Sequence, residues 1–293
     1  MTVISFLFGV FITFLNVVKS FTTKKGTRFF SSNSITFSNA LFMVMILFCF
    51  LPFNQNYLNL GGKSAMLGLF FSGLKGVSLY FSIKYIAELA KESNSSSVFA
   101  GFVSLGIGSV INSQLLHDNL SSYQLLACIA LGILGCVFFF RGPVNDLSNN
   151  GKRSFIYVTF VIIFNMMSDK IATRELNWFV HLFISNLVFF FVCLFMYGRN
   201  ISKLVNDFKN PLLTIIGLLY FIENFVVLYT MGVYLPVSLT NVFMRLAAPI
   251  TMIISSYLYK ERTPRELLLF GGLALLFAFF ILFSMCHALR AYP

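Results

Sequence analysis

The sequence predicts an all-α integral membrane protein: ten transmembrane helices built as two inverted five-helix repeats. Three observations carry this. The chain of 293 residues is 58% hydrophobic and 11% charged, with 38 phenylalanines and a mean hydropathy of +0.84. A soluble domain is about a quarter charged, so this chain cannot cover a globule with polar groups, and the bilayer is the solvent that suits it. Apolar runs of spanning length recur along the whole chain, and a shift of 149 residues superposes its halves. A soluble enzyme, a secreted disulfide scaffold and a disordered regulator are excluded.

A spanning helix needs about 20 mostly apolar residues. The first run, 2–18, has no basic leader before it and no small-residue cleavage site after it, so it reads as span one and not as a signal peptide. Span two covers 34–53. Span three, 65–87, encloses Lys75, and span four, 93–113, opens on Ser93-Asn94-Ser95-Ser96-Ser97. Spans five (122–140) and seven (178–197) carry the runs Phe138-Phe139-Phe140 and Phe189-Phe190-Phe191, expected to face lipid, with span six (154–171) between them. Span eight, 211–232, encloses Glu223. Span nine, 236–258, opens on Ser238, Thr240 and Asn241 and encloses Arg245 and Pro249, and span ten covers 265–288. The longest polar connections, 19–33, 141–153 and 198–210, are too short for a soluble domain, so the chemistry belongs within or between helices.

The 149-residue shift places NVVKSFTTKK, from Asn16, on NMMSDKIATR, from Asn165, and GLFFSGLKGVSLYFSIKY on GLLYFIENFVVLYTMGVY. Leu79 then matches Leu228, Tyr80 matches Tyr229 and Tyr85 matches Tyr234. The repeats are 1–148 and 149–293. Each holds an odd number of spans, so the copies insert with opposite topology, the arrangement in which a substrate site lies near the midplane between repeats.

The net charge of +11 reads as loop lysines and arginines, and nucleic acid is not expected as a partner. Counting those loops puts both termini outside the cytoplasm. The five cysteines (Cys49, Cys128, Cys136, Cys193, Cys286) lie in apolar runs without CxxC spacing and read as packing residues. His117, His181 and His287 are scattered, so no metal is expected, and no cofactor. No GxxxxGK[ST] loop exists for ATP.

The segment from Tyr234 to Phe283 combines a small-polar helix start (Pro236, Ser238, Thr240), a mid-helix Pro249, the loop Lys260-Glu261-Arg262 and Gly271-Gly272 in the last helix. It resembles the end of an EamA-type domain, and the chain as a whole resembles the drug/metabolite transporter superfamily. The first half departs from the pattern, with Ala100 where Pro249 stands and Asp118 where Glu is usual. NMMSDKIATREL is further similar to the first-helix end of bacterial S-adenosylmethionine carriers of that superfamily. The resemblance implies a cavity lined by spans three, four, eight and nine, and termini on the cytoplasmic side, against the loop count.

Three ionisable residues lie deep within spans: Lys75, Glu223 and Arg245. A charge at the helix centre costs about 2.5–3.5 kcal/mol, so such residues face the bundle interior and mark functional sites. Under the shift Lys75 falls opposite Asn224, beside Glu223, which puts a cation and a carboxylate at one depth. They form either a structural ion pair or part of a substrate or proton site. Arg245, at the position of Ser96, suits a carboxylate or phosphate. Pro249 conflicts with the Arg245 carbonyl four residues earlier and should kink span nine there. Asn16, Asn165, Ser96 and Asn241 either bond between helices or line the cavity, and Tyr80 and Tyr229 either stack on a planar ligand or pack the core.

The expectation is a secondary-active transporter of a small polar or zwitterionic metabolite, S-adenosylmethionine-like or amino-acid-like, working by alternating access. Glu223 would meet a substrate cation and Arg245 an anion, with Lys75 neutralising Glu223 in the empty site. The partners would be a small-molecule substrate, the lipid bilayer, and a proton or counter-substrate as drive, in a monomer or homodimer, and the membrane would be the cell (inner) membrane if the source is bacterial. The alternatives are a flippase-like lipid handler, a non-transporting membrane protein and a membrane-embedded transferase; the last needs clustered acids and histidines at the interface.

Overall fold

The computed structural model describes residues 3–53, 63–117, 120–141, 147–197 and 206–259, with the isolated residue 272. Span ten of the sequence reading lies outside them, apart from residue 272. The described residues form an all-helical bundle: α1 (Val3–Gly26), α2 (Ser32–Phe50), α3 (Lys63–Glu92), α4 (Asn94–Leu115), α5 (Ser122–Arg141), α6 (Asn149–Glu175), α7 (Trp178–Tyr197), α8 (Pro211–Val233) and α9 (Val237–Leu258). Eight of these are long and apolar enough to cross a membrane, and α5 is a shorter apolar helix over Ser122–Val137. The chain is a multi-pass membrane protein.

Local chemistry sets the helix starts. Ser31, Ser93 and Ser148 each accept a hydrogen bond from the backbone N–H three residues on, which satisfies a donor the helix leaves open. Asn210 does the same for Leu212, with Pro211 at the first helical position, where its missing N–H costs nothing. A single residue, Ser93, separates α3 from α4, so the two must turn sharply on one another.

The helices outrun their apolar runs. Spans one, three and six were expected at 2–18, 65–87 and 154–171, whereas α1 continues to Gly26, α3 to Glu92 and α6 starts at Asn149 and ends at Glu175. Polar helix ends satisfy their own backbone and project past the hydrocarbon without penalty. Residues 19–26, expected in a loop, are therefore helical, and Lys19 with Lys24 leaves the loop count; Lys24 is buried and donates to the Lys91 carbonyl (3.1 Å).

The packing follows a regular scheme. α3 packs on α6 and α7, as α8 packs on α1 and α2; α4 packs on α6, as α9 packs on α1; α2 meets α7, and α4 meets α9. Exchanging α1–α4 for α6–α9 leaves these contacts unchanged. Two large apolar cores and two smaller ones result among the described residues, and the large ones are these. One joins α4, α5, α6 and α9 around Phe99, Phe155 and Phe243, and the other joins α2, α3, α7 and α8 around Tyr80, Phe179 and Phe189. At the α4–α5 contact, a Cβ on Gly106 would stand 2.8 Å from the Cα of Gly132, so glycine at both positions allows backbone-to-backbone approach.

The expectation for Phe189-Phe190-Phe191 needs correction. Phe189 is fully buried, Phe190 packs at the edge of the second core and Phe191 is exposed, because three consecutive helical positions sweep most of the circumference. The side chains of Phe138-Phe139-Phe140 lie outside the described residues. Cys128 and Cys193 are buried as packing residues, whereas Cys49 and Cys136 are exposed.

Candidate functional site

A cavity of about 150 Å³ opens between α1, α3, α4, α6, α8 and α9. Its lining repeats at helical spacing: Asn16, Lys19, Ser20 and Thr23 on α1; Ile162, Asn165, Met166 and Asp169 on α6; Tyr220, Glu223, Asn224 and Val227 on α8. Positions i, i+3, i+4 and i+7 share a face, so each helix turns one stripe inward. Lys75, Ser82, Ser97, Asn241 and Arg245 complete the polar wall.

Of the residues singled out from sequence, Lys75, Glu223, Asn224, Arg245, Asn16, Asn165 and Asn241 line this cavity. Tyr80, Tyr229 and Ser96 do not. Tyr80 is buried between α3 and α7 and accepts a hydrogen bond from the Tyr197 hydroxyl (3.0 Å). Tyr229 sits in an aromatic cluster with Phe8, Trp178 and Phe225. Ser96 is fully buried in the first turn of α4, one residue before the Ser97 that reaches the cavity.

The expected Lys75–Glu223 pair is not formed. Lys75 on α3 pairs with Asp169 on α6, and Glu223 on α8 pairs with Lys19 on α1. The reason lies in the packing: α3 lies against α6 and α8 against α1, so each charge meets the face of its own neighbour before it can reach across the cavity. The two pairs sit at equivalent positions of the exchange scheme with the signs reversed. The first helix of the first half supplies a cation, and that of the second half a carboxylate.

The Asp169 cluster extends inward. Its Oδ1 accepts from the Lys75 ammonium and lies 2.8 Å from His181 Nε2, while His181 Nδ1 lies 2.8 Å from Ser72 Oγ. His181 and Ser72 are fully buried. Asn165, one turn before Asp169, accepts from Ser78, and Asn16 donates to the Met244 carbonyl (2.7 Å) beside Arg245. Thr13 likewise donates to the Phe243 carbonyl (2.7 Å), so α1 supplies donors to the turn of α9 that precedes Pro249. α9 runs on as helix through that proline.

Three polar atoms on the cavity wall are buried without a hydrogen-bond partner: Glu223 Oε1, Arg245 Nε and the Tyr220 hydroxyl. The Arg245 side chain lies flat over Gly101 of α4, where a Cβ would stand 2.4 Å from its Cδ and Nε. It has no ion pair among the described residues, and Glu223 is the carboxylate beside it on the cavity lining. An unpaired acceptor on a carboxylate and an unpaired donor on a guanidinium give one small cavity groups of both polarities.

Asp169, Lys19 and His181 were missed in the sequence. Asp169 was within reach: it stands four residues after Asn165, on the same helical face, inside an apolar run. Lys19 completes the polar stripe Asn16, Ser20 and Thr23 once α1 is extended past residue 18. A lone histidine in span seven carries no pattern of its own. Among the described residues no group of His, Cys, Asp and Glu is arranged to hold a metal. No family model and no curated protein matches the chain.

Proposed function

We propose that this membrane protein is a secondary-active transporter of a small zwitterionic metabolite, of the ten-helix EamA-like architecture in the drug/metabolite transporter superfamily. The observation that carries the reading is the pair of unpartnered atoms, Glu223 Oε1 and Arg245 Nε, on the wall of one cavity. A buried polar atom without a partner is costly, and a ligand that supplies one relieves that cost. A substrate ammonium or sulfonium would meet Glu223, and its carboxylate would meet Arg245. No covalent chemistry is assigned to the site.

The exchange-invariant packing supports two inverted repeats, 1–148 and 149–293, with span ten completing the second. Alternating access then follows from rocking one half against the other around a central site. Voids of about 150 Å³ accept a benzene-sized molecule. That favours an amino-acid-like substrate. A sulfonium nucleoside would need the helices to part.

The test is uptake of a radiolabelled amino-acid mixture, and separately of S-adenosylmethionine, into proteoliposomes, beside a thermal-shift screen of the same compounds. A substrate raises the melting temperature of the native protein by mass action. Wild type is expected to take up and be stabilised by a zwitterion, with both effects lost in Glu223→Gln and Arg245→Ala. Uptake by those variants at the wild-type rate would overturn the site.

A further inference from the structure

Lys75, Asp169, His181 and Ser72 form a continuous chain running from the cavity wall into the interior, and the zwitterion site described above does not use it. Asp169 and Lys75 line the cavity, whereas His181 and Ser72 are fully buried behind them. We infer that the Asp169–His181 pair is the proton-binding site that couples transport to a proton gradient, with Lys75 as its counter-charge. This rests on the transporter reading and names the coupling ion.

The bonding pattern carries the inference. Ser72 Oγ lies within reach of two groups: the Gly68 carbonyl (2.7 Å) and His181 Nδ1 (2.8 Å). A serine hydroxyl has one proton to donate and lone pairs to accept with. With a neutral imidazole, Ser72 donates to Nδ1 while Nε2–H donates to Asp169. With an imidazolium, Nδ1–H donates to Ser72, whose hydroxyl turns to the Gly68 carbonyl. Both protonation states are therefore fully hydrogen-bonded with no heavy atom moved. A purely structural histidine needs only one of them.

Charge balance supplies the coupling. With Lys75 in place, the ammonium and the Asp169 carboxylate sum to zero and the imidazole is neutral. When Lys75 is drawn into the cavity, by a parting of α3 from α6 or by an anionic ligand group, a nearly buried carboxylate is left without a cation. One proton from cavity water, taken at Asp169 and shared with His181, restores neutrality, and the return of Lys75 expels it to water. The pair titrates as a unit. The other charges around it do not substitute: α8 brings Glu223, already paired with Lys19, and the Tyr220 hydroxyl, α9 brings Arg245, and α2 and α4 carry no charged residue.

Two measurements test this. The first needs no substrate: full-length protein in nanodiscs, carrying isotope-labelled histidine, is followed by NMR and infrared spectroscopy from about pH 8 down to about pH 5. His181→Gln assigns the signal among the three histidines of the chain. Wild type is expected to show neutral His181 and ionised Asp169. Lys75→Gln is expected to hold one extra proton, seen as imidazolium or as a protonated carboxyl band that Asp169→Asn removes. Adding Ser72→Ala takes away the acceptor for Nδ1–H and is expected to move that proton onto Asp169. Neutral His181 with ionised Asp169 in Lys75→Gln across that range would overturn the proposal.

The second uses proteoliposomes and the radiolabelled amino-acid mixture. His181→Gln keeps a donor to Asp169 and so preserves the hydrogen bond. It and Asp169→Asn are expected to lose accumulation driven by a pH gradient while retaining exchange of internal for external label, which needs no net proton. Gradient-driven accumulation equal to wild type in both variants would also overturn the proposal. Wild type that neither accumulates nor exchanges the label rejects the amino-acid reading instead, and the spectroscopic result still decides the proton site.

Discussion

Glu223 keeps one carboxylate oxygen on Lys19 and leaves the other open, so the residue is half structural and half available. Removing the partner of a buried charge is worse than removing both. Lys19→Met is expected to destabilise the protein by about 3 kcal/mol, and Lys19→Met with Glu223→Met by less, measured as denaturation midpoints in mild detergent. Gly101 is the floor under Arg245, where a Cβ would overlap the side chain at 2.4 Å. Gly101→Ala is expected to push the guanidinium off its place and weaken ligand binding about tenfold, equivalent to about 1.4 kcal/mol, read in a titration of the ligand found by thermal shift. Lys75, Glu223 and Arg245 were legible in the sequence because charge is scarce there. The pairing of Lys75 and of Glu223 was not. Lys19 stands just past the first apolar run and Asp169 lies inside the sixth, and which charge each meets depends on helix rotation about the axis, which residue spacing along one chain leaves undetermined.

At the scale of elements, hydropathy located the helices well: spans seven, eight and nine agree with α7, α8 and α9 to within a residue. Helix ends were less legible, since polar turns beyond the hydrocarbon carry no apolar signal, as the extension of α1 from 18 to Gly26 shows. Sidedness was the least legible. Nothing in Phe189-Phe190-Phe191 tells which ring turns inward, and Phe189 proved to be core. The α4–α5 contact is set by Gly106 against Gly132, and in lipid such contacts rest on close packing rather than on water exclusion. Gly132→Ala is expected to force the helices apart and to cost about 1–3 kcal/mol, read as a lowered melting temperature. Ser93→Ala, which removes the cap on α4, is expected to cost about 1 kcal/mol by the same measurement.

For the molecule as a whole, the packing that survives exchange of α1–α4 for α6–α9 makes a topological statement. In the proposed ten-span arrangement both termini share a side, and the connection between repeats lies on the other. With the native cysteines replaced, single cysteines at Thr2 and Tyr292 are expected to react with an impermeant maleimide from one face of the membrane, and one at Asn145 from the opposite face. The reversed signs of the two ion pairs have an electrical consequence. Each pair is neutral while closed, so a membrane potential exerts almost no net force on it. The field acts fully only on charge that stands alone, and moving one elementary charge across 100 mV is worth about 2.3 kcal/mol. Among the described residues that line the cavity, the charge without an ion pair is Arg245. Voltage therefore has a handle on the cavity at Arg245, and under the proposed function an anionic substrate group that docks on it cancels that handle.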